Sequence, residues 1–276
     1  MEFSLPKRYD NSNKSTYGRV LNIAGSDYMP GSAYLSSVSA LKIGCGYVFL
    51  CSSDRVINIV ACQNPNIVFI PHSKLAQNIA KADVISIGCG IGTEAKAVKN
   101  MSILVDNTNI ETPVIVDADG LNILAQNDID LTYDFIRRKF KKLIFTPHPK
   151  EASRLLECGL DDVLNNIEGS AKKITEKFNC VTVLKTHKTF VYSPDGKSFT
   201  NNTGNNSMAK AGSGDVLTGI ISGLCAQGMD IFEASCLGVY LHGLCGDIAR
   251  NELTEYCVMA QDLISSIPNA IKHIKI

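Results

Sequence analysis

The sequence lacks several features that would assign it directly to a functional class. Lys and Arg balance Asp and Glu at 27 each, so no global field would gather nucleic acid or an anionic membrane surface. No apolar run approaches the roughly 18 residues that span a bilayer, and the polar N-terminus has no apolar signal core. We therefore expect a cytoplasmic protein that binds neither nucleic acid nor membrane and that binds any anion locally.

Cysteine is abundant, but the pairs that would indicate a metal or redox site are missing. None of the ten cysteines forms a C-x-x-C pair, and most lie inside apolar runs such as GYVFLCS and GLCAQG. This pattern is typical of small buried hydrophobic residues with free thiols in a reducing compartment.

Short β-branched runs alternate with helical patterns for most of the length. Several runs are apolar on both faces, as a parallel sheet between two helix layers requires. We therefore predict one α/β domain over residues 1–276, a three-layer α/β/α fold with a mostly parallel central sheet and helices on both faces. The predicted strands are RVLNIAG, GYVFLCS, NIVFIP, DVISIG, PVIVDAD, KLIFTP and CVTVLKT. TFVYSP and KSFTNN, joined by Asp195-Gly196, predict an added antiparallel hairpin. The predicted helices include PGSAYLSSVSALKIG, PKEASRLLE, DIFEASCLGVYLHGLCGDIARNEL and AQDLISSIPNAIKHIK.

Polar or glycine-rich segments follow several of the predicted strands. Ligands of open α/β sheets bind beyond the carboxyl ends of the strands, so these segments should converge on one edge. They are NIAGSDYMPGSA, SIGCGIGT, VDADGLN, FTPHPKE and LKTHKT.

The segment AGSGD is the most specific candidate. Gly212 and Gly214 let the backbone approach a ligand, and the following VLTGIISGL has the apolar spacing of a helix face. Free amides of residues 211–214 (Ala211, Gly212, Ser213 and Gly214) would form an anion hole at the helix N-terminus. Asp215 would repel a bound phosphate unless it faces an incoming hydroxyl and takes or orients its proton, as phosphoryl transfer requires. A simple helix cap is an equally good interpretation.

Three other segments have both functional and structural interpretations. Lys185 and Lys188 in LKTHKT could hold a nucleotide phosphate or form a charged β-turn. SIGCGIGT suits close backbone approach to a ligand, although no third glycine completes the dinucleotide fingerprint, which disfavours a Rossmann dehydrogenase. His148 lies between two prolines and could contact a ligand or be a satisfied structural imidazole.

Two aspartates end the fifth predicted strand. Asp117 and Asp119 could hold Mg²⁺ through water or bind a substrate hydroxyl, whereas Asp119 could instead cap the next helix. His242 lies inside a helical pattern and is expected to be structural.

Taken together and in this order, the segments resemble the ADP/ATP-dependent NAD(P)H-hydrate dehydratases, carbohydrate-kinase-like repair enzymes of the ribokinase-like superfamily. The resemblance runs nearly end to end, and FTPHPKEASRLL followed by NNSMAKAGSGDVLTG is its most specific part. VIVDADGLN, VLKTHKTFVY and YLHGLCGDIA also match. The chain looks like the stand-alone dehydratase without an epimerase domain, so a separate hydrate epimerase is the implied partner.

The resemblance implies repair of NADH or NADPH to which water has been added at the nicotinamide ring. Phosphoryl transfer from ADP or ATP, with Mg²⁺, onto the C6 hydroxyl would turn a poor leaving group into phosphate. The ring nitrogen would then expel the phosphate. Asp215 would take or orient the hydroxyl proton, and a tetramer is the implied assembly.

Residue by residue, the resemblance places nucleotide contacts on the KTHKT turn (Lys185, Thr186, His187, Lys188 and Thr189) and on Gly214. Hydrate contacts fall on Ser32, Gly90 or Gly92, His148 and Asp215, with Asp119, Asn122 and Asn205 as further candidates. The family usually has alanine at the position of Ser32 and small residues at those of His187 and Lys188. The preferences for ADP or ATP and for NADH or NADPH hydrate stay open.

Two other functions fit parts of the pattern. A kinase of a vitamin precursor or sugar-like alcohol would use the same loop but is disfavoured by TPHPKE and VDADGLN. A nucleotide sensor without turnover would not need Asp215.

Overall fold

One mixed β-sheet forms the centre of the molecule. The structure is a computed structural model that describes residues 2–126, 136 and 139–274. Within these residues nine strands form one sheet in the order β3-β2-β1-β4-β5-β6-β7-β8-β9. The strands are β1 (Arg19–Ile23), β2 (Tyr47–Ser52), β3 (Val68–Pro71), β4 (Val84–Ile87), β5 (Val114–Val116), β6 (Leu143–Phe145), β7 (Val181–Leu184), β8 (Phe190–Tyr192) and β9 (Ser198–Thr200).

The strand directions confirm the predicted mostly parallel sheet. Strands β1 to β7 pair in parallel, and β8 and β9 extend the sheet as the predicted antiparallel hairpin. All seven strands predicted before the hairpin are present, each shorter at its ends than its apolar run.

Eleven α-helices lie in the described ranges. They are α1 (Pro30–Lys42), α2 (Asp54–Ala61), α3 (Leu75–Ile79), α4 (Ala95–Asn107), α5 (Ala118–Ala125), α6 (Pro149–Leu156), α7 (Leu160–Asn165), α8 (Ile167–Phe178), α9 (Ser213–Ala226), α10 (Ile231–Leu253) and α11 (Ala260–Ile271). The predicted helices correspond to α1, α6, α10 and α11, and the helix predicted after AGSGD is α9.

The helices cover both faces of the sheet. Alternate strand residues enter two separate apolar cores, because successive side chains of a strand point to opposite faces. Val20 and Val48 pack with residues of α1, α2, α9, α10 and α11, whereas Leu21 and Ile85 pack with residues of α3 to α8. This is the three-layer architecture that two-faced apolar strands predict. Among the described residues, no helix combines the length and apolar character of a membrane span.

The sheet order also explains where a ligand would bind. From β1 the chain passes outward to β2 and β3 and then returns to β4 on the other side of β1. Such a reversal leaves a crevice at the carboxyl ends of the strands. The segments after β1, β4, β5, β6 and β7 are the predicted functional segments, and these five strands are neighbours in the sheet.

Candidate active site

The N-terminus of α9 presents two free backbone amides. Gly212 precedes the helix with φ +92°, a left-handed conformation that favours glycine. The N–H of Ser213 donates to the carbonyl of Lys210 at 3.3 Å, and the Ser213 hydroxyl donates to the carbonyl of Met208 at 2.8 Å. Of the described residues, none accepts a hydrogen bond from the N–H of Gly214 or of Asp215. Within the predicted anion hole, only the N–H of Ser213 is therefore used by the described residues; the N–H of Gly214 stays available, and that of Asp215 is an additional donor at the helix N-terminus.

Asp215 projects from the first turn of the same helix. Burial, followed by the negative charge of Asp117, raises the pKa of Asp215 to about 6, while hydrogen bonds from Ser32 and Cys89 act in the opposite direction. The carboxylate does not cap α9, since no side-chain capping bond is made there. A half-buried carboxylate of this pKa is ionised at neutral pH and binds a proton more readily than an exposed aspartate.

A close helix-helix contact places Ser32 opposite Asp215. Helix α9 passes α1 without room for side chains, since a Cβ at Gly219 would overlap Ser39, and one at Gly223 would lie 2.7 Å from the carbonyl oxygen of Ala40. Later residues of α9 meet later residues of α1, so the two helices run parallel. Their N-termini, with Ser32 and Asp215, therefore meet at the carboxyl edge of the sheet.

Glycines after β4 form the other wall. Gly90 has φ +65°, and a Cβ there would lie 2.8 Å from the Ser32 side chain. Gly92, with φ +75°, donates its N–H to Asp119 at 2.9 Å. Asp119 therefore fixes this loop. It does not cap α5, because that helix begins at Ala118 and Asp119 already lies inside its first turn.

A buried ion pair lies under the start of α9. The Lys185 ammonium is 2.6 Å from Oδ1 of Asp117, and the Thr218 hydroxyl donates to Oδ2 at 2.6 Å. Burial alone would raise the pKa of Asp117, but the charge and hydrogen bond of Lys185 hold this pKa below its usual value. The pKa of Lys185 is raised, since burial is outweighed by the charges of Asp117 and Glu151. Both members are thus charged at neutral pH.

The KTHKT turn divides between the interior and the surface. Lys185 points inward to Asp117, whereas His187 and Lys188 are exposed. The Thr186 hydroxyl donates to the carbonyl of Lys188 at 2.8 Å, and the Thr189 hydroxyl donates to the carbonyl of Thr186 at 3.4 Å. Lys185 and Lys188 therefore do not both face one phosphate position. The other residues of the turn, from Thr186 to Thr189, lie at the surface, where a nucleotide-binding turn would be.

His148 caps helix α6. Its Nδ1 accepts from the N–H groups of Lys150 and Glu151 at 3.1 and 3.2 Å, and its Nε2 lies 3.2 Å from Oε1 of Glu151. Burial, and then the charge of Lys185, lower the pKa of His148. Of the two predicted interpretations, the contacts of Nδ1 and Nε2 favour the satisfied structural imidazole, although 45% of the side chain is exposed.

Two further candidates stabilise neighbouring segments. Asn205 accepts from the N–H of Ser207 at 3.0 Å and donates to Asp247 at 2.8 Å, which fixes the loop that leads into AGSGD. Asn122 accepts from Arg154 at 2.6 Å. His242 is half-buried, and its Nε2 lies 2.9 Å from the Ser213 carbonyl oxygen, in agreement with the predicted structural role.

Comparison with known proteins shows which family the chain belongs to. A family model described as NAD(P)H-hydrate dehydratase matches residues 20–269, which is most of the chain. The chain belongs to the NAD(P)H-hydrate dehydratase family.

Relatives of this family match in both sequence and structure. The chain is 39% identical to the ADP-dependent (S)-NAD(P)H-hydrate dehydratase of Neisseria meningitidis serogroup B, over 88% of this chain and 81% of that protein. The crystal structure of ADP/ATP-dependent NAD(P)H-hydrate dehydratase from Bacillus subtilis, co-crystallized with ATP/Mg²⁺, superposes with a TM-score of 0.85 at 31% identity, covering 98% of this chain and 95% of that one. The chain is also 35% identical to the bifunctional NAD(P)H-hydrate repair enzyme Nnr of Moorella thermoacetica, of which it spans 52%.

Two carboxylates and one thiol of the site lie close enough together to be considered as metal ligands. Cys89, Asp117 and Asp215 each offer one ligand atom within 4.8 Å of the others. The Lys185 ammonium already occupies the cation position at Asp117, and a thiol is a poor ligand for Mg²⁺. Lys185 and Thr218 already use both oxygens of Asp117, which disfavours a direct Mg²⁺ contact there, and the Mg²⁺ contact stays a prediction. Phosphate oxygens and water remain the suitable ligands for a magnesium ion carried by the nucleotide.

Two polar residues of the hydrate dehydratase site were not predicted from the sequence. Thr218, which binds Asp117, lies four residues after Gly214 on one helix face, a spacing that could have drawn attention to it. Asp247 holds Gly204 and Asn205 from α10. It stands in a long apolar helix with no distinguishing local pattern.

Proposed function

We propose that this chain dehydrates the (S) form of NADH hydrate or NADPH hydrate to NADH or NADPH, while ADP is converted to AMP or ATP to ADP. Membership of the family supports the reaction class. The observation that carries the mechanism is a proton-accepting carboxylate, Asp215, beside two free amides at one helix N-terminus.

The first step is phosphoryl transfer. The C6 hydroxyl oxygen of the hydrate attacks the terminal phosphorus of the nucleotide, the bond to the bridging oxygen breaks, and AMP or ADP leaves. Asp215 accepts the hydroxyl proton, and the amides of Gly214 and Asp215 stabilise the charge on the phosphoryl oxygens. The Ser32 hydroxyl orients the Asp215 carboxylate for this transfer.

The second step is elimination. The ring nitrogen donates its lone pair as the C6–O bond breaks and phosphate leaves, and loss of the C5 proton restores the dihydronicotinamide. The C5 proton leaves with the phosphate, and Asp215 releases the hydroxyl proton to solvent. Each turnover therefore yields one NADH or NADPH, one inorganic phosphate, one AMP or ADP and one proton, so atoms and charges balance.

The assignment of the remaining contacts is also part of the proposal. Gly90, Gly92 and the exposed edge of His148 face the hydrate, and the outer KTHKT turn with Gly214 binds the nucleotide with its Mg²⁺. Asp119 positions Gly92. Ten free cysteines, most of them buried, suit a reducing compartment and support activity in the cytoplasm. A single domain over residues 1–276, assembly into a tetramer and a separate hydrate epimerase stay predictions.

The decisive experiment uses acid-generated NADH hydrate and NADPH hydrate with ADP, ATP or no nucleotide. We expect nucleotide-dependent recovery of the near-ultraviolet absorbance of the dihydronicotinamide, with one phosphate released per molecule repaired. No recovery with either nucleotide would overturn the dehydratase function. A stable phosphate ester would instead indicate a kinase, and binding without phosphate release would indicate a sensor.

A further inference from the structure

The ion pair between Asp117 and Lys185 is more deeply buried than a surface salt bridge. The side-chain exposure is 1% for Asp117 and 18% for Lys185, and the two charged groups are 2.6 Å apart. Both oxygens of Asp117 are used, one by Lys185 and the other by the Thr218 hydroxyl. Removing two charges from water costs several kcal/mol per ion, so a buried pair is weak evidence of stabilisation. A functional role therefore explains the presence of this pair in the core better than stabilisation of the fold does.

The position of the ammonium group points to that function. The backbone N–H of Lys185 donates to the carbonyl of Pro147 at 2.8 Å, which anchors the residue at the carboxyl edge of the sheet. Its Nζ lies so close to α9 that a Cβ at Gly214 would be 3.3 Å away. The cation therefore adjoins the two free amides of the proposed phosphoryl site. Positive charge and oriented N–H groups act together on an anion held there.

Asp117 also lies close to the proposed base. One ligand atom of Asp117 and one of Asp215 are within 4.8 Å of each other, together with the Cys89 sulfur. Two carboxylates at this separation repel each other when both are ionised. Lys185 relieves that repulsion because it neutralises Asp117.

We propose that Asp117 is a positioning residue for the dehydration: it holds the Lys185 ammonium beneath Gly214 and keeps its own negative charge beside Asp215. The proposal rests on the proposed function. Lys185 supplies the fixed cation that faces the phosphoryl group during transfer. Asp117 favours the protonated form of Asp215, which helps it to accept the hydroxyl proton.

The other ionisable groups around the pair come from several elements. Burial raises the pKa of the Cys89 thiol well above its ordinary value, and burial lowers the pKa of His242 to about 4, so both are neutral near pH 7. Burial raises the pKa of Glu151 to about 7. The ionisable groups that act on the pair include Cys89, His148, Glu151, Asp215 and His242. The pKa values of Asp215 and Glu151, about 6 and about 7, lie close to neutrality.

The test compares two single substitutions with opposite charge effects. In Asp117→Asn the negative charge beside Asp215 is lost, so the acid limb of the kcat/KM profile should move to lower pH by about one unit. In Lys185→Met the compensating cation is lost, so the same limb should move to higher pH. Lys185→Met should also lower kcat by about 10²-fold, as loss of a charge-stabilising donor does. A merely structural role would not shift the limb in opposite directions.

A matched control is available on the surface. Asp195 and Lys197 form an exposed ion pair, 2.8 Å apart, in the β8–β9 hairpin. Asp195→Asn and Lys197→Met repeat the same chemical changes away from the site, and both should leave kcat and the acid limb unchanged.

The double variant Asp117→Asn/Lys185→Met covers the case in which a single variant fails to fold. It leaves no unpaired buried charge and should therefore fold, with its acid limb between those of the two single variants and kcat about 10²-fold below wild type. Wild-type kcat in the double variant, or limbs that do not move in opposite directions in the two single variants, would overturn the inference. Inactive wild-type protein would instead contradict the proposed function, so the two failures are distinguishable.

Discussion

Gly219 of α9 faces Ser39 of α1 with no space for a methyl group between them. This contact lies in the seam between the two parallel helices whose N-termini hold Asp215 and Ser32. The seam therefore determines both the stability of the core and the geometry of the candidate site.

Gly219→Ala should destabilise the protein by about 1–3 kcal/mol, because an added methyl group overpacks a closed contact. For a domain of this size the melting temperature should fall by roughly 2–4 °C per kcal/mol. Gly31→Ala is the matched control, since a Cβ at that position of α1 would have no neighbour within 4 Å. Equal melting temperatures for both variants would contradict the close seam.

Asp215→Asn should lower kcat by about 10²-fold or more, because the proposed proton acceptor is replaced by a neutral amide of similar shape. Nucleotide binding, measured by calorimetry, should be largely retained. Full activity in the variant would remove Asp215 from the catalytic role.

Asp215 should also make the stability of the protein depend on pH. Its pKa is raised to about 6 in the folded state, so between pH about 4 and 6 the native state binds more protons than the unfolded state. Stability from this group is therefore lost as the pH rises through that window. Asp215→Asn avoids the free-energy cost of ionising this carboxyl group in the folded state. The variant should therefore be more stable than wild type above pH 6, by an amount on the order of 2 kcal/mol. Below pH 4 it should have no such advantage. Urea denaturation at several pH values measures this difference, and an equal difference at every pH would contradict it.

Ser32→Ala should move the acid limb of kcat/KM to higher pH. Hydrogen bonding by Ser32 lowers the pKa of Asp215 and so favours the charged form. Loss of one such bond should shift the limb by less than about one unit. Ser12→Ala, at a hydroxyl near the N-terminus that donates to the Tyr9 carbonyl, should leave the limb in place. A limb that stays fixed in Ser32→Ala would show that this bond does not act on the base.

Two substitutions of His148 separate capping from ligand contact. His148→Ala should cost about 1 kcal/mol, because two N–H groups of α6 lose their acceptor. His148→Asn keeps a capping oxygen and should restore most of that stability. If the ring edge also contacts the hydrate, both variants will raise KM for the hydrate equally. A KM raised only in His148→Ala would show that the cap alone matters.

Much of the fold could be predicted because it depends on local patterns. Two-faced apolar runs gave the parallel strands, and the ends of those strands located the candidate site. The turn at Asp195-Gly196 correctly predicted the hairpin. These signals are contained within a few neighbouring residues, so one sequence is enough to recognise them.

The inward position of Lys185 could not be predicted in the same way. Its partner Asp117 is 68 residues away in the chain, and Thr218 is 101 residues from Asp117. A lysine in a polar turn favours solvent unless the fold brings a buried carboxylate beside it. The helix-cap interpretation of Asp119 was wrong for a related reason, since its carboxylate accepts from the Gly92 amide at another strand end rather than from its own helix.

The free cysteines make the protein a reporter of its own unfolding. Cys62, Cys158 and Cys257 are exposed, whereas the other seven thiols are buried. Because thiol reagents attack accessible thiolates, about three groups should react quickly in the folded state and seven only after local or global opening. The reaction rate of the seven buried thiols therefore measures how often the core opens, and no added label is needed. A tightly bound ligand should lower that rate.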